Sequence, residues 1–217
     1  MKKNKKTHKK SADKNKSKLW WAVGAAILIA AAALTVIFVS CGKEDKKMSY
    51  DNVKVKVEME NGGEFTLELY PEYAPQTVEN FVELVTDGFY DGVGFHRIVD
   101  GFMAQGGDPD GTGMGGSGET IVGEFAANGF KQNTLSHTRG VISMARSQSY
   151  DSASSQFFIC YDDASFLDGQ YAAFGKVIEG MDTVDGFLDV ERTANSMGEL
   201  ASPVTPIIMK KLTVIED

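Results

Sequence analysis

The sequence predicts a mainly β domain, a closed barrel or a sandwich of short strands, preceded by an N-terminal membrane segment. Residues 53–69 alternate apolar and polar side chains around an Asn61-Gly62-Gly63 turn, which is the period of a hairpin with one buried face. Six later apolar runs are short and are separated by Gly, Asp, Ser and Asn, the pattern of a many-stranded β architecture. Residues 19–39 carry no charged side chain.

At the N-terminus, nine Lys fall within the first 18 residues and the 21 uncharged residues follow directly. A helix rises about 1.5 Å per residue, so such a run crosses the roughly 30 Å hydrocarbon core. The basic flank stays in the cytoplasm, which tethers the rest of the chain at the cell membrane on its extracytoplasmic side. Two readings share these residues. Phe38-Val39-Ser40-Cys41 resembles the lipobox of bacterial lipoproteins, where a small residue precedes a Cys that is lipidated and becomes the new amino terminus. Phe38 departs from the usual Leu, and the apolar run is longer than that of a cleaved signal, which fits an uncleaved spanning helix. The chain therefore divides into a basic region (1–18), a hydrophobic signal or anchor (19–40), a polar tether (41–52) and one domain (53–217).

In that domain Val53, Val55 and Val57 alternate with Lys54, Lys56 and Glu58, and Phe65, Leu67 and Leu69 return against Glu64, Thr66 and Glu68. Pro75 then precedes Val78, Phe81, Val82 and Val85, the spacing of an amphipathic helix that Gly88 ends. Strands are expected in the runs 95–99, 102–105, 141–145, 156–160, 172–178 and 207–215, and a second helix over 181–187.

Composition excludes several functions. With 42% hydrophobic and 24% charged residues the chain is ordinary globular protein. Residues 1–47 hold 12 Lys against three acidic residues, while the rest holds 10 basic against 27 acidic side chains. An acidic body repels phosphate backbones, so no nucleic-acid partner is expected. Two cysteines, Cys41 and Cys160, are too few for a disulfide scaffold or a thiolate zinc site. Cys160 reads as a small buried hydrophobe. Gly111-Thr-Gly113-Met-Gly-Gly116 matches the dinucleotide fingerprint in letters, but no helix follows it. Asp108 and Asp110 read as a solvated loop, since no Glu completes a calcium loop. A Ser-His-Asp set can be drawn from His96 or His137 with Asp108 or Asp168, without any nucleophile elbow. His96 reads as a ring hydrogen-bonded inside the sheet beside Arg97.

Three segments carry more information. Phe95-His-Arg-Ile-Val-Asp-Gly-Phe-Met-Ala-Gln-Gly-Gly-Asp108, Ser155-Gln-Phe-Phe-Ile-Cys160 and Phe166-Leu-Asp-Gly-Gln-Tyr-Ala-Ala-Phe-Gly175, with Val141-Ile-Ser-Met-Ala145 between them, closely resemble the signatures of cyclophilin-type peptidyl-prolyl cis-trans isomerases. The likeness extends from about Val53 to Ile215. It implies a closed eight-stranded antiparallel β-barrel capped by two helices, and an enzyme that acts on proline-containing unfolded or extended polypeptides without cofactor or metal.

Position by position, the resemblance makes Arg97 the catalytic arginine and Phe102, Met103, Phe158 and Leu167 the proline pocket, with Gln105 and Gln156 as polar contacts and Ala145 lining a neighbouring groove. Phe166, Tyr171 and Arg146 stand where the best-known eukaryotic members have Trp, His and Asn. The first two changes resemble bacterial members and imply weak cyclosporin binding at most; Arg146 is expected to alter preference near the proline. A proline-recognising holdase on the same groove is the rival class, and an intact Arg97 favours the isomerase. A monomer is expected.

Overall fold

The computed structural model describes residues 51–215. The expected membrane segment and the expected lipidation of Cys41 lie outside these residues. Among the described residues no helix is long and apolar enough to cross a membrane.

Ten strands form. Eight close a barrel in the order β1-β10-β3-β4-β6-β5-β7-β2, with neighbours antiparallel. They are β1 (Val53–Met59), β2 (Glu64–Leu69), β3 (Gly94–Val99), β4 (Met103–Asp108), β5 (Val141–Met144), β6 (Phe157–Cys160), β7 (Ala173–Glu179) and β10 (Ile207–Ile215). Outside the barrel, β8 (Arg192–Ala194) pairs with β9 (Leu200–Pro203). The sequence reading missed this hairpin, whose strands are short and only partly buried and so carry little period-2 contrast.

The first hairpin follows its pattern. Val55, Val57, Phe65, Leu67 and Leu69 are buried, while Lys56 lies outside and pairs with Glu64 at 2.9 Å and Glu58 at 3.4 Å. Helix α1 (Pro75–Thr86) buries Thr77, Val78, Phe81 and Val85 against the barrel. Its preceding residue, Ala74, offers no side-chain cap. Glu124 supplies one from 47 residues away: its carboxylate accepts the backbone N–H of Gln76 (3.0 Å) and Thr77 (2.8 Å) and the Thr77 hydroxyl (2.7 Å), at the end of the helix where backbone donors lack partners and negative charge is favoured. Helix α2 (Met181–Asp185) is shorter than expected, because the chain tightens into a 3-10 turn over Gly186–Asp189.

Interlocked aromatics fill the barrel. Phe157 lies edge-on to Phe81 (5.6 Å), Tyr90 (5.7 Å) and Phe95 (5.7 Å), and Phe95 meets Phe187 at 4.9 Å. These are the offset geometries that the ring quadrupole favours.

Candidate active site

Strand register assembles the site. Across β3, β4, β6 and β5, Arg97 faces Gln105, Gln105 faces Phe158, and Phe158 faces Ser143. Successive side chains on a strand point to opposite faces, so Ala104, Phe157 and Ile159 enter the barrel core while Met103, Phe158 and Cys160 join a second, smaller apolar cluster with Ala164. Phe102, Ala145, Leu167 and Tyr171 pack against that cluster. Leu167 and Phe166 are carried by a 3-10 turn, Ser165–Leu167.

This outer cluster lines a cavity of about 270 Å³. Its walls are Arg97, Phe102, Met103, Gln105, Ala145, Arg146, Phe158, Leu167 and Tyr171, nine of the eleven residues singled out from the sequence in and around the pocket. Gln156 stands at the partition with a neighbouring cavity of about 440 Å³: its Oε1 accepts from Gln105 Nε2 (2.9 Å) and its Nε2 donates to Gly115 O (2.8 Å). Phe166 does not line the cavity. It is 70% exposed at the rim, 5.6 Å from the Phe102 ring.

Arg97 is held on one edge and open on the other. Its Nε donates to Glu199 Oε2 (2.6 Å) and its Nη2 to Glu199 Oε1 (2.8 Å). Nη1 faces Gln105 Oε1 at 3.5 Å, long for a hydrogen bond, and the weakly accepting Met103 Sδ at 3.7 Å. The guanidinium stands 5.8 Å from the centre of the Phe102 ring. The bonds from Arg97 hold the Glu199 carboxyl below its ordinary range. The sequence reading did not find Glu199, although Asn195 and Gly198 flag the turn that presents it.

Arg146 is enclosed by rings, its Cζ 4.6 Å from the Tyr171 centroid and 5.0 Å from those of Phe125 and Tyr150. Nε and Nη2 donate to Gln170 O (3.1 and 2.9 Å) and Nη1 to Ser147 O (3.0 Å). It therefore bridges the two cavities as a fixed, aromatic-backed cation.

A Ser-His-Asp row does form, and its burial decides its role. His137 Nδ1 lies 2.8 Å from Asp168 Oδ1 and Nε2 lies 2.9 Å from Ser143 Oγ. Burial lowers the His137 pKa, with Asp168 opposing, so the ring is neutral at pH 7. Since a carboxylate only accepts, Nδ1 carries the proton and Ser143 donates to Nε2. Ser143 is wholly inaccessible on β5, so no acyl group reaches it, and the row acts as a brace. The His137 ring stacks 6.0 Å from Phe158 and fixes the pocket floor. Burial raises the Asp168 carboxyl, but bonds from Ser136 and His137 outweigh it and hold it low.

Two other sequence readings change. His96 is not hydrogen-bonded in the sheet: both ring nitrogens are buried without a partner among the described residues, and burial lowers its pKa. Asp108 is not solvated. It is 1% exposed and accepts the backbone N–H of Asp110, Thr112, Gly113 and Gly115. The amides of the glycine-rich loop thus turn inward onto a carboxylate, which is why the fingerprint letters make no phosphate cradle. A Cβ on Gly115 would collide with that carboxylate, so only glycine fits there. Cys160 behaves as expected, buried with its thiol pushed up to about 12, mainly by burial.

Comparisons with known proteins agree with this architecture. The family profile described as cyclophilin-type peptidyl-prolyl cis-trans isomerase/CLD matches residues 54–214. A peptidyl-prolyl cis-trans isomerase of Helicobacter pylori (strain ATCC 700392 / 26695) is 45% identical over 145 residues, covering 66% of this chain and 82% of the relative. Peptidyl-prolyl cis-trans isomerase B of Bacillus subtilis is 45% identical over 124 residues, covering 57% and 82%. A crystal structure of a cyclophilin-type isomerase of Cryptosporidium parvum, obtained in the presence of the dipeptide Ala-Pro, superposes with TM-score 0.65 at 31% identity, covering 76% of this chain and 99% of the other. With the profile spanning most of the chain and the barrel closed in the same fold, the chain belongs to the cyclophilin-type peptidyl-prolyl cis-trans isomerases.

Proposed function

We propose that this isomerase works on X-Pro bonds in exported or cell-surface chains, assisting their folding, with Arg97 as its catalytic residue. The observation that carries the catalytic part is the state of Arg97, whose Nη1 edge faces the pocket cavity and makes only a long contact to Gln105 Oε1 and a weak one to the Met103 thioether.

The X-Pro amide resists rotation by about 18 to 20 kcal/mol because twisting breaks its resonance, while its planar forms differ by only about 0.5 to 1 kcal/mol. As the amide twists, the prolyl nitrogen pyramidalises and its lone pair becomes an acceptor. A guanidinium N–H donating there stabilises the twisted state more than either planar one, which lowers the barrier without a covalent step. Phe102, Met103, Phe158 and Leu167 hold the ring, so the preceding acyl group turns while the proline stays. Gln105, oriented through Gln156, binds a backbone carbonyl of the peptide. Ala145 and Arg146 pass the extended chain toward the neighbouring cavity, Tyr171 walls the pocket, and Phe166 covers its rim. The Cryptosporidium relative's structure was obtained in the presence of the dipeptide Ala-Pro, a unit of the class this site would take.

The test is cis-trans exchange of an Ala-Pro-Phe peptide by the full-length chain in detergent. Arg97→Ala should lower the rate by about 10² or more, the size of losing one donor to a developing charge, with the melting curve unchanged. An unchanged rate excludes Arg97 from the mechanism, and tight peptide binding without acceleration in the wild type would favour a holdase.

Residues 1–40 support the site of action. A basic flank and 21 uncharged residues ending before Ser40-Cys41 support a tether that holds the domain outside the cytoplasmic membrane. Folding of exported chains there is slowed by uncatalysed prolyl isomerisation of about 10 to 100 s. Mass spectrometry of the native amino terminus separates the two anchors: diacylglyceryl Cys41 means a lipoprotein and an intact Met1 a spanning helix, while an unmodified cleaved terminus would refute both.

A further inference from the structure

We propose that Glu199, on the hairpin outside the barrel, is a positioning residue that sets the orientation of Arg97 in the isomerase reaction. The inference rests on the catalytic reading of Arg97 given above.

Arg97 reaches the pocket on a long, flexible side chain, and a guanidinium left alone there would sample several rotamers. Only one orientation aims an N–H at the prolyl nitrogen. Glu199 grips the Nε and Nη2 edge through both carboxylate oxygens, at 2.6 and 2.8 Å, which fixes the plane of the group and leaves Nη1 turned to the cavity. This paired geometry, two parallel N–H···O bonds from a planar fork, is the most directional one a carboxylate can offer an arginine.

The clamp is itself clamped. Asn195 Nδ2 donates to Glu199 Oε2 at 3.1 Å, and Asn195 Oδ1 accepts the backbone N–H of Met197 and Glu199, both at 3.0 Å. The tight turn from Asn195 to Glu199 thus presents the carboxylate in one place, 102 residues along the chain from its partner.

A carboxylate beside the arginine also damps its positive charge, which would weaken catalysis. Both side chains are partly exposed, at 23% and 32%, so solvent screens that effect. The hydrogen bond to the prolyl nitrogen depends on direction and short range, so orientation outweighs damping.

The experiment is a double-mutant cycle on the full-length chain, reading kcat and KM for the Ala-Pro-Phe peptide. Glu199→Ala should lower kcat about tenfold with KM within about twofold, the loss of an oriented charge-assisted bond. Glu199→Gln keeps one acceptor oxygen and the same shape, and should fall by about threefold. In the Arg97→Ala background, Glu199→Ala should change nothing further, because it acts only through the arginine. Several results overturn the inference while leaving Arg97 catalytic: an unchanged or raised kcat in the Glu199 variants, or a loss that adds in full to that of Arg97→Ala. If Arg97→Ala alone leaves the rate intact, the catalytic reading falls first. Should Glu199→Ala fail to fold, the isosteric Glu199→Gln decides by the same criteria.

Discussion

Phe157 and Phe158 are chain neighbours, both aromatic and both nearly inaccessible, at 1% and 5% exposure, yet they serve opposite faces of β6. Phe157 points into a barrel whose rings leave no room. Phe158 points out, where His137 stacks on it and Tyr171 meets it edge-on at 5.9 Å, and a cavity is kept open beside it. Burial alone therefore does not separate a structural aromatic from a binding one. What separates them is whether the surrounding side chains close over the ring or hold a polar group across an opening from it, as Arg97 does.

Substitutions at the two positions sharpen this contrast. Phe157→Ala should cost about 3 to 5 kcal/mol, because the rigid barrel cannot collapse into the space left, and urea unfolding measures it directly. A loss as small as that at Phe158 would mean the barrel core is looser than its ring contacts imply. Phe158→Ala should cost only about 1 to 2 kcal/mol, the transfer contribution without a sealed cavity, but should abolish most turnover of the proline peptide. Equal stability losses at both positions would break the distinction.

A smaller effect separates the faces by pH. No group that titrates near neutrality belongs to the aromatic barrel core among the described residues, whereas His137 braces the outer face. Burial lowers its folded pKa below the unfolded value near 6.5. The unfolded chain then binds the proton more readily, so stability is full above about pH 7 and declines as pH falls through 6.5 toward the folded value. His96, lowered by the same cause, adds to this limb. His137→Gln should thus reduce, not remove, the fall in melting temperature between pH 7.5 and 5.5. The Asp168 and Glu199 carboxyls, also held low, contribute stability that is lost only in the more acidic range below about pH 4. A wild-type melting temperature flat from pH 7.5 to 5.5 would refute the buried-neutral state of His137.

The legible elements were those with strong local contrast. The β1–β2 hairpin and α1 announce themselves because their burial patterns repeat with period two and with helical spacing over 17 and 12 residues. Helix α2 and the β8–β9 hairpin are short and partly exposed, so little contrast marked their ends. Among site residues, Arg97, Gln105, Met103, Phe158 and Gln156 could be named because they sit in continuous motifs, although their adjacency is a matter of register across four strands.

The sequence by itself determined the mainly β class, the basic and apolar N-terminus, the acidic domain and the family motifs, since composition, periodicity and contiguous residue order are local properties. Tertiary structure alone decided which partners those residues meet. Glu199 reaches Arg97 across 102 residues, Glu124 caps α1 from 47 residues away, Asp108 absorbs the amides of the glycine-rich loop, and Ser143 is buried beneath the pocket rather than exposed as a nucleophile. The physical reason is that such contacts form only when the barrel closes and brings distant segments within hydrogen-bond reach, and no pattern along the chain encodes a distance in space.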